Sequence, residues 1–352
     1  MEIAVVVNLR ARHGSQQVAR ACREFLPNAR VIASGSVGEA IGFARDLSER
    51  PPSLLISAGG DGTAVTLINA MRDTASSNGA ADVGSRPISA GAATMRHTPA
   101  LGLLPLGTGN GWARTVGAPR WRTAVARLGQ VAKRGHPLPL KRFDLVEVGG
   151  KVAHFAGTGW DAEMIDDFHA QKTGFSLLPE RARMGLAGYV YGVFTRTIPR
   201  HIREPQVDVQ LTNTGADAMT VDDHGRPIPL RGGEHGAILY RGPMAVCGAG
   251  TTAEWGFGFR AFPFAGLVPR RFCMRIYAAG SFEALHRLHA LWTGAHPIPK
   301  MHTWFVDRCK ATFSRPVPVQ VGGDRFGKTT EVEYALAAEQ VDVLDWRRIG
   351  TA

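Results

Sequence analysis

The chain contains no run of 18 or more apolar residues, which excludes a bilayer-crossing helix of ordinary length. Its longest weakly charged, mostly apolar stretch, Met184 to Phe194, is short and gives way to Arg196. The opening MEIAVVVN has neither a basic segment nor a small-residue cleavage site, so it reads as a first strand and not as a signal peptide. Cysteine is sparse: Cys22, Cys247, Cys273 and Cys309 lie far apart with no CxxC pair. That spacing argues against a zinc site and a disulfide framework, and points to a reducing cytosol. Both GxGxxG and GxxxxGK[ST] are missing, so Rossmann and P-loop readings fall. The arginines are scattered, without the interleaved aromatics of a nucleic-acid groove, and no nucleic-acid partner is expected.

What is present suits a globular protein of two domains: 352 residues, 44% hydrophobic and 20% charged. Forty-one Lys and Arg against 30 Asp and Glu leave a formal charge of +11. Such a field attracts polyanions, including nucleotide phosphates and an anionic membrane face. Charge alone does not choose among them.

Up to about residue 135, short apolar runs alternate with helical spacing. Strands are expected at Ile3 to Val7, Ala29 to Ala33, Leu54 to Ser57 and Leu101 to Pro105. Helices are expected at Ser15 to Phe25, Val37 to Leu47, Thr63 to Met71, from Trp112 onward, and Trp121 to Lys133. This order predicts a parallel sheet with helices on both faces and ligands at the strands' carboxyl ends. The small, polar segment Asp73 to Ala100 reads as an inserted mobile loop. From Pro137 the pattern turns to alternating, turn-punctuated segments of antiparallel strands in a sandwich or barrel, with helices only near Glu180 to Thr197 and Phe282 to Trp292. We divide the chain into residues 1–138, 139–330, and a 331–352 segment that packs back on the first domain.

Two glycine loops carry the chemistry. Gly59-Gly60-Asp61-Gly62-Thr63 follows the apolar LLISA and precedes a helix. Glycine lets the backbone approach phosphate oxygens, and the helix start offers N–H groups at a positive dipole end. Asp61 does not favour a phosphate by itself; it either holds Mg²⁺ or a hydrogen-bond network, or caps a tight turn. Leu104-Pro105-Leu106-Gly107-Thr108-Gly109-Asn110 repeats the strand–turn–helix order, with Thr108 and Asn110 able to offer a hydroxyl and an amide to nucleotide or metal.

This ordered set resembles the catalytic region of the diacylglycerol kinase-like lipid kinases, a family with sphingosine and ceramide kinases and bacterial members. Ala113-Arg114, Phe143-Asp144-Leu145, Gly159-Trp160-Asp161-Ala162 and Val319-Gln320-Val321-Gly322-Gly323-Asp324 extend the likeness nearly end to end. The resemblance implies a phosphofructokinase-like parallel-sheet domain, a following antiparallel β-sandwich, and a nucleotide cleft between them. Gly59 to Thr63, with Gly107, Thr108, Gly109 and Asn110, would bind ATP. Asn8 and the Arg10-to-Ser15 segment are similar to the family's first Asn-Pro-x-Ser-Gly loop, with Leu9 in place of Pro. Asp144 would join a carboxylate network around Mg²⁺.

The chain departs from the family pattern at two positions. Gly111 stands where Gly-Thr-x-Asn-Asp ends in an acid, and Gly322 stands at the Asp of Asp-Gly-Glu, taken in the family as the general base. Asp324 is then the candidate base or metal-associated acid, and Asp61 the other catalytic candidate. A turn at Gly322-Gly323 would swing Asp324 back toward the missing position. Asp166-Asp167 and Asp222-Asp223 read as solvated acid pairs.

The expected activity is transfer of the ATP γ-phosphoryl group to the hydroxyl of a lipid such as diacylglycerol or a sphingoid base. Expected with it are Mg²⁺, peripheral contact with the anionic inner face of the membrane from the cytoplasm, and room for a homodimer. Two alternatives stand beside it: a nucleotide- or lipid-binding protein of the same fold with impaired catalysis, and an NAD kinase-like enzyme.

Overall fold

A computed structural model describes residues 1–80, 98–134, 137–173, 179–183, 186–204 and 206–349. The chain divides into two compact units, Met1–Phe143 with Ala338–Ala352, and Asp144–Ala337.

The first unit opens with β1 (Ile3–Asn8), α1 (Gln16–Phe25), β2 (Arg30–Ser34) and α2 (Val37–Glu49). It continues with β3 (Leu54–Gly59), α3 (Asp61–Ala80), β4 (Ala100–Pro105), α4 (Gly111–Thr115), α5 (Trp121–Arg134) and β5 (Leu140–Phe143). Apolar side chains on both faces explain why β1, β3 and β4 are buried almost throughout. Helix starts are set by side-chain caps. Ser15 Oγ accepts from Val18 N–H, and Ser36 Oγ from Glu39 N–H, while the Glu39 carboxylate reaches back to Gly35 N–H at 2.8 Å.

The late strand Val341–Leu344 enters this sheet, giving the order β2-β1-β3-β4, then Val341–Leu344, then β5. All neighbours are parallel except β5, which runs antiparallel to the late strand. The order reverses at β1, which has β2 on one side and β3 on the other. In an open α/β sheet that reversal opens a crevice at the strands' carboxyl ends.

The expected loop from Asp73 is not one at its start: α3 continues through Ala80, because Ala and Ser serve a helix as well as a loop. Residues 81–97 of that expected loop lie outside the described residues.

The second unit is one large antiparallel network. Its strands are β6 (Val146–Val148), β7 (Lys151–Ala153), β8 (Phe155–Gly159), β9 (Val207–Asn213), β10 (Met219–Val221) and β11 (Pro227–Pro229). They continue with β12 (Ile238–Met244), β13 (Val246–Gly250), β14 (Phe272–Tyr277), β15 (Met301–Val306), β16 (Arg308–Val321) and β17 (Asp324–Leu336). On one edge, β16 pairs with β9 over Cys309–Phe313 and with β8 over Val319–Val321, while its pairing with β17 shifts register between Thr312 and Val317. One long strand thereby serves two parts of the sheet, as strands do at the corners of folded-over sheets.

Helices of this unit are α6 (Trp160–Thr173), α7 (Glu180–Arg183), α8 (Leu186–Gly192), a π turn at Val193–Thr197, α9 (Ile198–Arg203), α10 (Ser281–His286) and α11 (Leu288–Thr293). Of these, α6 lies outside the helical stretches expected from the sequence. Its apolar periodicity is weak because it presents Asp161, Glu163, Asp166 and Asp167 to partners instead of only apolar residues to a core. Asp167 is accordingly not the solvated acid expected, whereas Asp166 keeps a third of its side chain exposed. Asp167 is buried against Arg200 at 2.8 Å, and Asp166 pairs with Arg325. All four cysteines are buried free thiols.

Candidate functional site

Three loops meet at the carboxyl ends of β1, β3 and β4, where the strand order reverses. From β1, Asn8 Nδ2 donates to Thr63 Oγ1 at 2.9 Å, and its Oδ1 accepts from Arg10 N–H at 2.9 Å. Asn8 therefore bridges its own loop to the first turn of α3. Gly14 closes over the same residue: a Cβ there would meet the Asn8 carbonyl oxygen at 2.0 Å, so no side chain fits.

The two glycine loops touch each other. Leu106 N–H and Gly107 N–H both donate to the Gly59 carbonyl, at 2.9 and 3.1 Å. A Cβ on Gly107 would lie 2.4 Å from the Gly60 Cα, a distance only glycine on glycine permits. The β1 loop joins them through His13 N–H, which donates to the Leu106 carbonyl at 2.9 Å.

Asp61, the first residue of α3, ties this turn to the next helix. One carboxylate oxygen accepts from Gly111 N–H at 2.7 Å and the other from Trp112 N–H at 3.3 Å. Burial pushes its pKa up to about 6, against the pull of those backbone donors and of Arg114. Asp61 thus caps the start of α4 from the first turn of α3. With Gly111 at the family's acidic position, only a backbone donor stands beside it.

Asn110 sits in the left-handed region at φ 50, a conformation asparagine tolerates. Its amide closes the loop on itself, accepting from Gly107 N–H at 3.1 Å and donating to the Gly107 carbonyl at 2.8 Å. Arg114 donates to the Gly109 carbonyl at 2.5 Å and braces the same turn. The amide atoms of Asn110 thus shape the loop, and Gly59, Gly60, Gly62, Gly107, Thr108 and Gly109 leave backbone lining it.

In the second unit, Asp144 pairs with Arg270 at 2.6 Å. Arg270 lies 126 residues further on, and no local signal in the sequence announces that contact. Among the described residues, no three His, Cys, Asp or Glu gather as a ready-made metal site.

Asp324 opens β17 directly across from Val321, because Gly322 and Gly323 form the hairpin turn with φ of 61 and 89. The turn raised as a possibility by the two glycines is present. It is held from below: Gly322 N–H donates to the Phe155 carbonyl at 2.9 Å, and Gly323 N–H to Gln320 Oε1 at 2.9 Å. Gln320 in turn donates to buried Asp161 at 2.9 Å. Burial raises Asp161 to about 7, offset in part by that donor.

Residues 2–142, most of the first unit, match the family model of the diacylglycerol kinase catalytic domain. The resemblance read from the two glycine loops is borne out over that span. Two solved structures share the fold across nearly the whole chain. One is a diacylglycerol kinase from Bacillus anthracis str. Sterne, 13% identical with a TM-score of 0.61, covering 99% of this chain and 98% of that one. The other is a putative diacylglycerol kinase from the same strain, 15% identical with a TM-score of 0.62, again over 99% and 98%. No curated protein sequence matches the chain significantly.

Proposed function

We propose that the chain is an ATP-dependent kinase that transfers the γ-phosphoryl group to a lipid hydroxyl, such as that of diacylglycerol or a sphingoid base. The observation that carries this reading is the contact between the two glycine loops. Gly59, Gly60 and Gly107 bring bare backbone together at the start of α3, where Thr63 and Ala64 N–H donate to the Gly60 carbonyl and the N–H groups of Asp61 and Gly62 precede the first helical bond. A polyphosphate fits such a place, since backbone donors and the helix dipole both favour negative charge. Phosphoryl transfer asks mainly for positioning and charge stabilisation, and a rigid, mutually bonded set of loops supplies positioning. Asp61 acts by fixing α4 against α3, so that the two loops keep one geometry. Mg²⁺ bound to the nucleotide would neutralise phosphate charge. The acid we assign to the acceptor's proton is Asp324.

The test is a Mg-ATP assay with extracted mixed lipids on wild type, Asp61→Asn and Asp324→Asn. Asp61→Asn puts an amide N–H against a backbone N–H, and phosphorylation is expected to vanish. Near-normal turnover in that variant refutes the site. Loss of a general base costs on the order of 100-fold or more, so a fall of less than about tenfold for Asp324→Asn would return that residue to a hairpin role. A second reading rests on Gly111 and Gly322, which remove two acids of the family pattern. ATP binding without ADP release over a broad lipid panel would favour that reading, a binding protein that has lost catalysis. Phosphorylation of NAD but no lipid would point to an NAD kinase-like enzyme instead.

A further inference from the structure

Leu186–Gly192, the π turn Val193–Thr197 and Ile198–Arg203 run on as one helical rod. The rod carries Arg196, Arg200, His201 and Arg203, and not one Asp or Glu. Along it, Val190, Phe194, Ile198 and Ile202 recur every four residues. Three of them face solvent: Val190 is 40% exposed, Phe194 52% and Ile202 53%.

An α-helical step of four residues overshoots a full turn by about 40°, so three such steps would wind the row roughly 120° around the rod. The π turn has more residues per turn and takes back part of this drift. The apolar row therefore stays nearer to one side than a plain α-helix would allow. Other side chains of the rod are committed to α6. Thr197 Oγ1 donates to Asp167 at 2.8 Å, Arg200 binds Asp167 and Glu163 at 2.8 and 3.0 Å, and His201 meets Glu163 at 2.8 Å. Beside α9 packs α10, whose second residue, Phe282, is 75% exposed, the highest value among large apolar side chains of the described residues.

We propose that this rod, with Phe282, is the face on which the chain lies against an anionic phospholipid bilayer. The apolar row enters the acyl boundary while Arg196 and Arg203 supply charge to the headgroup phosphates. Exposed Phe, Ile and Val with only basic companions match the make-up of interfacial helices. Charge decides between occupants. A second copy would bring the same positive rod against this one, whereas a phosphate-rich surface complements it and the chain's +11. The inference gives the lipid-kinase reading a place to meet its substrate and rests on that reading for its purpose, but its test needs no turnover.

The test is flotation of the full chain with vesicles of phosphatidylcholine, with and without phosphatidylglycerol. Binding is expected only with the anionic lipid. Phe194→Ser combined with Ile202→Ser should lower the bound fraction about tenfold or more. Arg196→Gln with Arg203→Gln should lower it by a similar order. Ile228→Ser with Leu267→Ser, exposed apolar residues elsewhere in the unit, should leave it unchanged. Circular dichroism melts establish that each variant folds, and the arginine pair carries the test if the apolar pair does not. Equal binding to neutral vesicles, or equal loss in the control, overturns the proposal. So does a vesicle-free dimer that Phe194→Ser with Ile202→Ser dissolves. ATP binding measured on the same samples keeps the two readings apart: its absence sinks the kinase and leaves the vesicle result standing.

Discussion

Asp161 and His154 show how far burial moves single groups in the second unit, and in opposite senses. Asp161 rises to about 7, so the fold holds its proton more firmly than the unfolded chain does. Its contribution to stability is complete below the ordinary carboxylate range and is lost as pH climbs through about 7. Asp61, raised to about 6, acts in the same direction. His154, pushed down to about 3 by burial against Phe155, does the reverse: its share is present above the usual histidine value and fades on acidification. The variant Asp161→Asn separates these effects, since the amide oxygen can still accept from Gln320 but no longer ionises. It is expected to stabilise the chain more at pH 8 than at pH 5, by a difference on the order of 2 kcal/mol. Chemical denaturation at the two pH values checks this. An equal effect at both would mean that Asp161 is not held protonated.

At the scale of elements, the hairpin of β16 and β17 offers a clean measurement. Gly323 has φ 89, and a Cβ there would meet nothing within 4 Å. Gly323→Ala therefore tests backbone strain alone and should cost about 1–2 kcal/mol, read as a shifted denaturation midpoint. A neutral substitution would mean the turn relaxes. In the first unit β1, β3 and β4 were legible because each is a short apolar run closed by Asn, Gly or Pro, and α1 and α2 because each begins at a serine cap. The glycine loops were legible for the same local reason. The hydrogen bonds that join those loops were not: Asn8 to Thr63 and Asp61 to Gly111 span 55 and 50 residues, and spacing in sequence carries no trace of either. Nor was α6, whose acids serve Arg200, His201 and Arg325 from distant segments. Periodicity reports burial by apolar side chains, and a helix held by ion pairs escapes it.

At the scale of the whole molecule, the late strand matters most. Val341, Val343, Leu344 and Trp346 are each 2% exposed or less. Burying each is worth roughly 1.5–3 kcal/mol, and together they rival the entire margin of a typical domain, about 5–15 kcal/mol. A chain ended after Ala337 is therefore expected to lose the first unit's cooperative unfolding and its ATP binding, as followed by calorimetry and nucleotide titration. Retained ATP binding would show the strand dispensable. Val341 pairs with Phe143, so a short turn joining residues 1–143 to 340–352 should restore the fold. The same arrangement reorders biosynthesis. Domains usually fold in the order in which they leave the ribosome, but here the sheet of residues 1–143 waits with an open slot beside β4 until Val341–Leu344 has been made. Nascent chains of this protein would need shelter for that slot until then.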